Sequence, residues 1–245
     1  GGPGTPAAGE LAVARQQMSE EEYAQEFECS FDAAVAGAYY GRALAELERQ
    51  GGIAAVPWSP ELPVITAWDL GIDDATAIWF AQAAGRELRL IDYYEASGVG
   101  LEHYAKLLRE RPYVYGEHLL PHDVAVTELG TGKSRYATLA GLGVRGRVVP
   151  RQAVEDGINA VRNLLPRCQF DRARTARGLE ALRQYRRDWD ESLGTFRARP
   201  RHDWASHAAD AFRYLALGLR PEARGAERPP TRAFDPLTYG LRAAE

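Results

Sequence analysis

The chain has 245 residues, 45% of them apolar, and a formal net charge of −4. That is enough for one well-buried core with an appendage, while no apolar run reaches membrane-spanning length and no signal peptide opens the sequence. The two cysteines, Cys29 and Cys168, have no CxxC partner, which argues against a disulfide framework or zinc site and for a reduced, cytoplasmic setting. The opening Gly1-Gly2-Pro3-Gly4 reads as a cut linker, so the expectation is one domain of a longer protein.

The small net charge hides an asymmetry. Residues 1–132 hold 8 basic and 21 acidic side chains, whereas residues 133–201 hold 16 basic and 7 acidic. A basic block within an acidic chain is expected either to form one face for a polyanion or to be a solvated, arginine-rich helix face.

Residues 1–18 carry no sustained pattern and are expected to be flexible. Ser19 followed by Glu20, Glu21 and Glu22 has the chemistry of a helix start, and Tyr23, Phe27 and Phe31 recur at four-residue spacing. Helix is expected to continue from about Asp32 to Gln50, ended by Gly51-Gly52. Pro57, Pro60 and Pro63 make a stiff, extended connection, and the core is expected to start at Val64.

Val64–Leu70, Thr76–Ala83 and Glu87–Tyr94 read as strands of an antiparallel meander, the last two joined by a tight turn at Ala84-Gly85-Arg86. Leu101–Arg109 reads as a helix with Leu101, Tyr104, Leu107 and Leu108 on one face. Tyr113–Leu119 is a short strand, Ser134–Ala140 a short helix, and Arg147–Pro150 a short strand. Helices follow at Ala153–Leu165, with Val154, Ile158, Val161 and Leu165 inward, at Thr175–Arg187 and at Trp204–Leu219. From Pro221 the sequence is rich in Pro, Arg and Ala and reads as a tail. This order predicts an α/β fold: a mixed sheet of three antiparallel strands followed by parallel strands, flanked by helices on both faces, the layout of ribonuclease H-like domains.

Acidic residues fall where elements begin or end. Asp69 lies in an apolar strand, where a carboxylate must be paired, hydrogen-bonded or metal-bound. Asp123 follows a strand and a Pro121-His122 turn, where an Asx turn is the ordinary role and His122 a surface or supporting group. Asp203, His207 and Asp210 share one face of the last helix, at i, i+4 and i+7. Asp203 suits a helix cap. His207 could bind an ion with Asp210, orient a phosphate or water, or sit on a solvated polar face. Asp73 and Asp74 fit turn chemistry. Converging carboxylates from such distant positions are hard ligands that could hold Mg²⁺ or Mn²⁺, two of which cleave phosphodiesters.

Trp68-Asp69-Leu70-Gly71 with Asp74-Ala75-Thr76-Ala77-Ile78, then Leu120-Pro121-His122-Asp123, Gly130-Thr131-Gly132-Lys133-Ser134 and His207-Ala208-Ala209-Asp210-Ala211-Phe212-Arg213-Tyr214, together resemble the nuclease domain of tailed-phage large terminase subunits. Upstream, Tyr23–Cys29 and Gly37–Tyr40 resemble the segment that joins the family's ATPase domain to its nuclease. The resemblance implies a ribonuclease H-like, metal-dependent endonuclease that cuts concatemeric viral double-stranded DNA with little sequence specificity. Asp69, Asp123 and Asp210 match the acidic triad and His207 a less uniform position near the metal, with two Mg²⁺ or Mn²⁺ ions implied. It also implies partners of the whole protein (ATPase domain, small terminase subunit, portal and procapsid) and a host-cytoplasmic location. The domain reading is residues 1–18 flexible, 19–62 a helical linker from an ATPase domain, 63–220 the nuclease and 221–245 a tail. Alternatives are a resolvase- or transposase-type nuclease, or a non-catalytic DNA-binding or capsid-docking module.

Gly130–Ser134 ends like a P-loop, but the glycine that pattern requires five positions before Gly132 is Thr127, which argues against nucleotide binding. Lys133, Arg135, Arg145 and Arg147 are the expected contacts to DNA phosphates.

Overall fold

A computed structural model describes residues 37–71, 75–127 and 132–219. The readings for residues 1–36, for Asp73 and Asp74, for Gly130 and Thr131 and for the tail from Pro221 lie outside the described residues, as does Cys29.

The sheet is built around the meander. β2 (Val64–Asp69), β3 (Thr76–Ala84) and β4 (Glu87–Ala96) pair antiparallel, and their register sets Asp69 opposite Ala77 and Ala77 opposite Glu95. β5 (Tyr115–Leu120) runs parallel to β2, and β6 (Arg147–Val148) parallel to β5. On the other flank β7 (Cys168–Asp171) runs parallel to β4, and β1 (Ile53–Ala54) parallel to β7. The order is β1-β7-β4-β3-β2-β5-β6. β3 carries the continuous apolar run Ala77–Ala81, between buried Thr76 and Gln82, because both of its faces are covered.

Alternation along the strands divides the core. Ala67, Ala77, Trp79 and Tyr93 face α1 (Gly41–Arg49), α4 (Val154–Leu164), α5 (Ala176–Gln184) and α6 (Trp204–Gly218). Val64, Trp68, Ile78, Phe80 and Ile91 face α2 (Leu101–Glu110) and α3 (Arg135–Gly141). Helices therefore cover both faces, as the sequence predicts. α6 lies centrally on the first face, where four small residues, Ala205, Ala208, Ala209 and Ala211, are buried and let it approach the sheet closely. The Trp79 indole N–H donates to the Ala208 carbonyl at 2.8 Å and fixes the helix on β3.

Several expectations need correction. Of the helix expected over about Asp32–Gln50, residues 32–36 lie outside the described residues; Gly37 has φ +76°, a conformation foreign to regular helix, Ala38 bridges Arg186, and helix runs over Gly41–Arg49. The core begins before Val64: Leu44, Leu47 and Ile53 are buried in it. Val154 is exposed at the first position of α4, while Ile158, Val161 and Leu165 are inward. The helix expected over 175–187 stops at Gln184; Arg187 opens β8 (Arg187–Asp190), which pairs with β9 (Thr195–Pro200) in a separate hairpin. β1, β7 and this hairpin were not expected, since four residues or fewer carry too little periodicity and β9 is mostly exposed.

Candidate active site

Asp69 ends β2 on the α6 face of the sheet. Its Oδ2 accepts from His207 Nδ1 at 3.1 Å, so one turn of α6 meets the strand end. Burial raises the Asp69 pKa above the ordinary carboxylate range. The His207 hydrogen bond opposes that rise, and the negative charges of Asp210 and Asp123 add to it. Asp69 on β2 thus feels the charges of Asp210 on α6 and of Asp123 in the turn after β5.

Asp123 lies in the 3₁₀ turn His122–Ala125 directly after β5. Its Oδ2 accepts from Arg135 Nη2 at 3.1 Å, and Arg135 Nη1 donates to the Leu70 carbonyl at 2.7 Å. Arg135 therefore joins the chain just past Asp69 to Asp123. Asp210 Oδ1 accepts from Arg213 Nη2 at 2.6 Å and Nε at 3.1 Å, an i, i+3 pair on α6. Asp203 is the N-cap of α6: its side chain accepts from Ala205 N–H, and Ser206 completes a capping box.

Tyr214 carries its hydroxyl to the same place, where it hydrogen-bonds His122 Nδ1 at 3.0 Å. Burial, then the charges of Asp69 and Asp210, push its pKa up. Beside these groups opens a cleft of about 460 Å³, lined among others by His122, Arg151, Val154, Arg213 and Tyr214. Arg213 and Tyr214 had no role in the sequence reading. The signal for Arg213 was its spacing from Asp210; Tyr214 became legible only through His122, 92 positions away.

The donor set suits a hard divalent cation in kind: three carboxylates, with an imidazole at one of them. Each is held by a partner of its own, His207, Arg135 or Arg213. Among the described residues no three His, Cys, Asp or Glu side chains are gathered so as to hold an ion as they stand.

The four cations expected at DNA differ. Lys133 and Arg145 are exposed. Arg135 is buried, 8% exposed, so the expected surface phosphate contact gives way to an internal bridge. Arg147 is part-buried, donating to Glu117 at 2.7 Å and to the Gly218 carbonyl at 2.8 Å. Much of the basic block is likewise matched by acids from the first half of the chain: Arg172 and Arg183 pair with Glu48, and Arg177 with Glu95. The charge asymmetry of the sequence is thus partly neutralised by folding and does not form one uninterrupted basic face.

No protein-family model and no curated protein matches this chain. Solved structures do. The large terminase of a thermophilic bacteriophage matches with a TM-score of 0.56 at 14% identity, over 83% of this chain and 52% of that one. In another crystal form of that protein the match covers 42% of its length, so the chain spans about half of it. The nuclease domain of the P22 large terminase matches with a TM-score of 0.51 at 19% identity, over 69% of this chain and 88% of that one. The large terminase nuclease of a second thermophilic phage, G20c, a structure with bound magnesium, matches with a TM-score of 0.50 at 14% identity, over 74% and 96%. At these identities it is the fold that is shared. The chain has the ribonuclease H-like fold of phage large terminase nuclease domains.

Proposed function

We propose that this domain is a divalent-metal-dependent endodeoxyribonuclease that cuts double-stranded DNA with little sequence specificity, as the nuclease part of a terminase-type packaging protein. The observation that supports the reading is the contact of His207 with Asp69, which seats the last helix on the end of β2, in a fold shared with a terminase nuclease that holds magnesium.

Asp69, Asp123 and Asp210 would hold Mg²⁺ or Mn²⁺, with His207 beside Asp69. Two such ions, when bound, activate the attacking water and stabilise the leaving 3′ oxygen. The protein's own part is positional. His207 fixes the Asp69 carboxylate through Nδ1, and Arg135 ties the end of β2 to the Asp123 turn. Arg213 stands between Asp210 and the cleft, where it and Arg151 can meet a phosphate. Exposed Lys133 and Arg145 would add sequence-independent backbone contacts, weakened by salt. Residues 63–220, with α1 and β1 packed into the same core, would form the nuclease, the preceding part of 19–62 the connection to an ATPase domain, and the intact protein would work in the host cytoplasm with a small subunit and portal.

The test is nicking of supercoiled plasmid in a Mn²⁺ and Mg²⁺ titration, beside Asp69→Ala. Cleavage that requires the ion and disappears in the variant supports the reading, and full activity in Asp69→Ala overturns it. DNA retention indifferent to EDTA, with no cleavage under any ion, would leave a non-catalytic DNA-binding module.

A further inference from the structure

Trp204 opens α6 with 40% of its surface exposed, unusually open for a large aromatic side chain. The Arg177 guanidinium carbon lies over its ring, 4.0 Å from the centroid. Arg177 does not hang free: its Nε donates to Glu95 Oε1 at 2.8 Å, and Glu95 Oε2 accepts from the Tyr93 hydroxyl at 2.5 Å. The backbone places the arginine as well. A Cβ on the next residue, Gly178, would come within 2.5 Å of Trp79 and 2.8 Å of Tyr93, so only glycine lets α5 lie this close to the sheet. The stack is therefore prearranged by a chain of contacts running from the core.

Its position relates it to the acids. Asp69, Ala77 and Glu95 form one row across β2, β3 and β4, and directly opposed residues share a face. Two strand spacings put the Glu95 backbone roughly 10 Å from that of Asp69. α6 repeats the relation from above: His207 touches Asp69, and Trp204, one turn earlier, touches Arg177, the partner of Glu95.

The geometry points to the Trp204–Arg177 stack as a platform for an unpaired nucleobase of the DNA strand entering the site. Aromatic and guanidinium planes stack on any base. Arg177 is already partnered by Glu95, so it offers a plane more than a point charge, which favours stacking over clamping a phosphate. The shared row of Asp69 and Glu95 puts the stack on the same face of the sheet as Asp69. A base inside an intact duplex has no free face. The substrate best engaged is therefore DNA unpaired or frayed beside the cut. This inference rests on the nuclease reading for its place in the reaction, but its test does not require cleavage.

The test measures fluorescence anisotropy of a labelled 20-nucleotide oligothymidylate, and of a duplex of the same length, in EDTA. Trp204→Ala should weaken oligothymidylate binding by about 5- to 150-fold, Trp204→Phe should hold it near wild type, and duplex binding should change less than about 2-fold. Equal affinities of wild type and Trp204→Ala for oligothymidylate, or an equal loss on both DNAs, would overturn the platform. Should Trp204→Ala fail to fold by thermal melting, Arg177→Gln reads the same stack from its other side. Plasmid nicking by wild type in Mn²⁺ is run in parallel; its failure would remove the nuclease reading and leave the oligothymidylate comparison to decide the platform alone.

Discussion

His207 and Asp69 stand 138 positions apart in the chain and meet at 3.1 Å, Nδ1 to Oδ2. The contact places a polar face of α6, which also carries Asp210, on the end of β2. It also shows the state of the cluster: Asp69, Asp123 and Asp210 each face a donor, His207, Arg135 and Arg213 respectively. A cation entering here competes with these partners, and its affinity reflects the difference between two sets of contacts.

Asp69 should weaken the domain without metal. Its folded pKa is raised, so the native state binds more protons than the unfolded state across that window, and stability falls as pH rises through it. Above the window the ionised carboxylate is a standing cost. Asp69→Asn should therefore raise the melting temperature in EDTA while abolishing nicking. Saturating Mn²⁺, at about 100 times its dissociation constant, should stabilise wild type by about 2.7 kcal/mol and leave Asp69→Asn unmoved. Differential scanning fluorimetry with and without the ion checks both statements.

Arg135 should matter through position. Truncation to Ala removes a charged donor from the Leu70 carbonyl and from Asp123. Asp123 is nearly half exposed, so water recovers much of that pair; the buried bond to Leu70 is the larger loss. Arg135→Ala should cost about 2 kcal/mol of unfolding free energy and raise the metal concentration needed for half-maximal nicking. Lys in its place should recover only part, because one ammonium cannot serve both acceptors as a fork does. Urea denaturation and metal titrations of the two variants check this.

His118 should make the fold sensitive to mild acid. It is buried beside Thr66, whose hydroxyl accepts from the Trp68 indole N–H and is hydrogen-bonded to His118 Nδ1 at 2.7 Å. Burial lowers its pKa to about 4 from 6.5. Between those values the unfolded chain binds more protons, so stability rises with pH; it is complete above about 6.5 and lost toward 4. Unfolding free energy should drop by about 2 kcal/mol from this group between pH 6.5 and 5. Urea midpoints across that range should show the slope in wild type and a flatter line in His118→Gln.

Gly178→Ala should destabilise although it adds only a methyl group. The new carbon would press on the Trp79 and Tyr93 rings, with rigid neighbours on both sides. Overpacking of this kind costs about 1–3 kcal/mol. A lower melting temperature, with a red-shifted tryptophan emission if α5 lifts, is the expected record.

Long, strongly patterned elements were legible from residues alone. β2 to β4, α2, α4 and α6 lie within a few residues of their expected bounds, because alternation and 3.6-residue periodicity are local properties. Asp203 could be assigned to capping because it sits just before the helical pattern begins, whereas Asp69, Asp123 and Asp210 could only be nominated, from a carboxylate in an apolar strand, one just after a strand and one past the first turn of a helix. The short partners β1 and β7 were not legible. Two to four residues carry no usable period, and what makes them strands is the edge of β4 that they complete. Arg135 was misplaced because a cation in a loop-like stretch looks exposed until the Leu70 carbonyl and Asp123 are brought to it.

The sequence by itself determined the longer elements and their order, and it nominated the acids, since these follow from spacing and side-chain chemistry along a short window. Only the tertiary structure decided who faces whom: His207 with Asp69, Arg213 and Tyr214 at the cleft, Arg177 over Trp204, and basic residues of the second half matched by acids of the first. Such pairings join residues tens to more than a hundred positions apart. No local propensity encodes them; they form when the register of the sheet and the close seating of α5 and α6 bring the partners within reach.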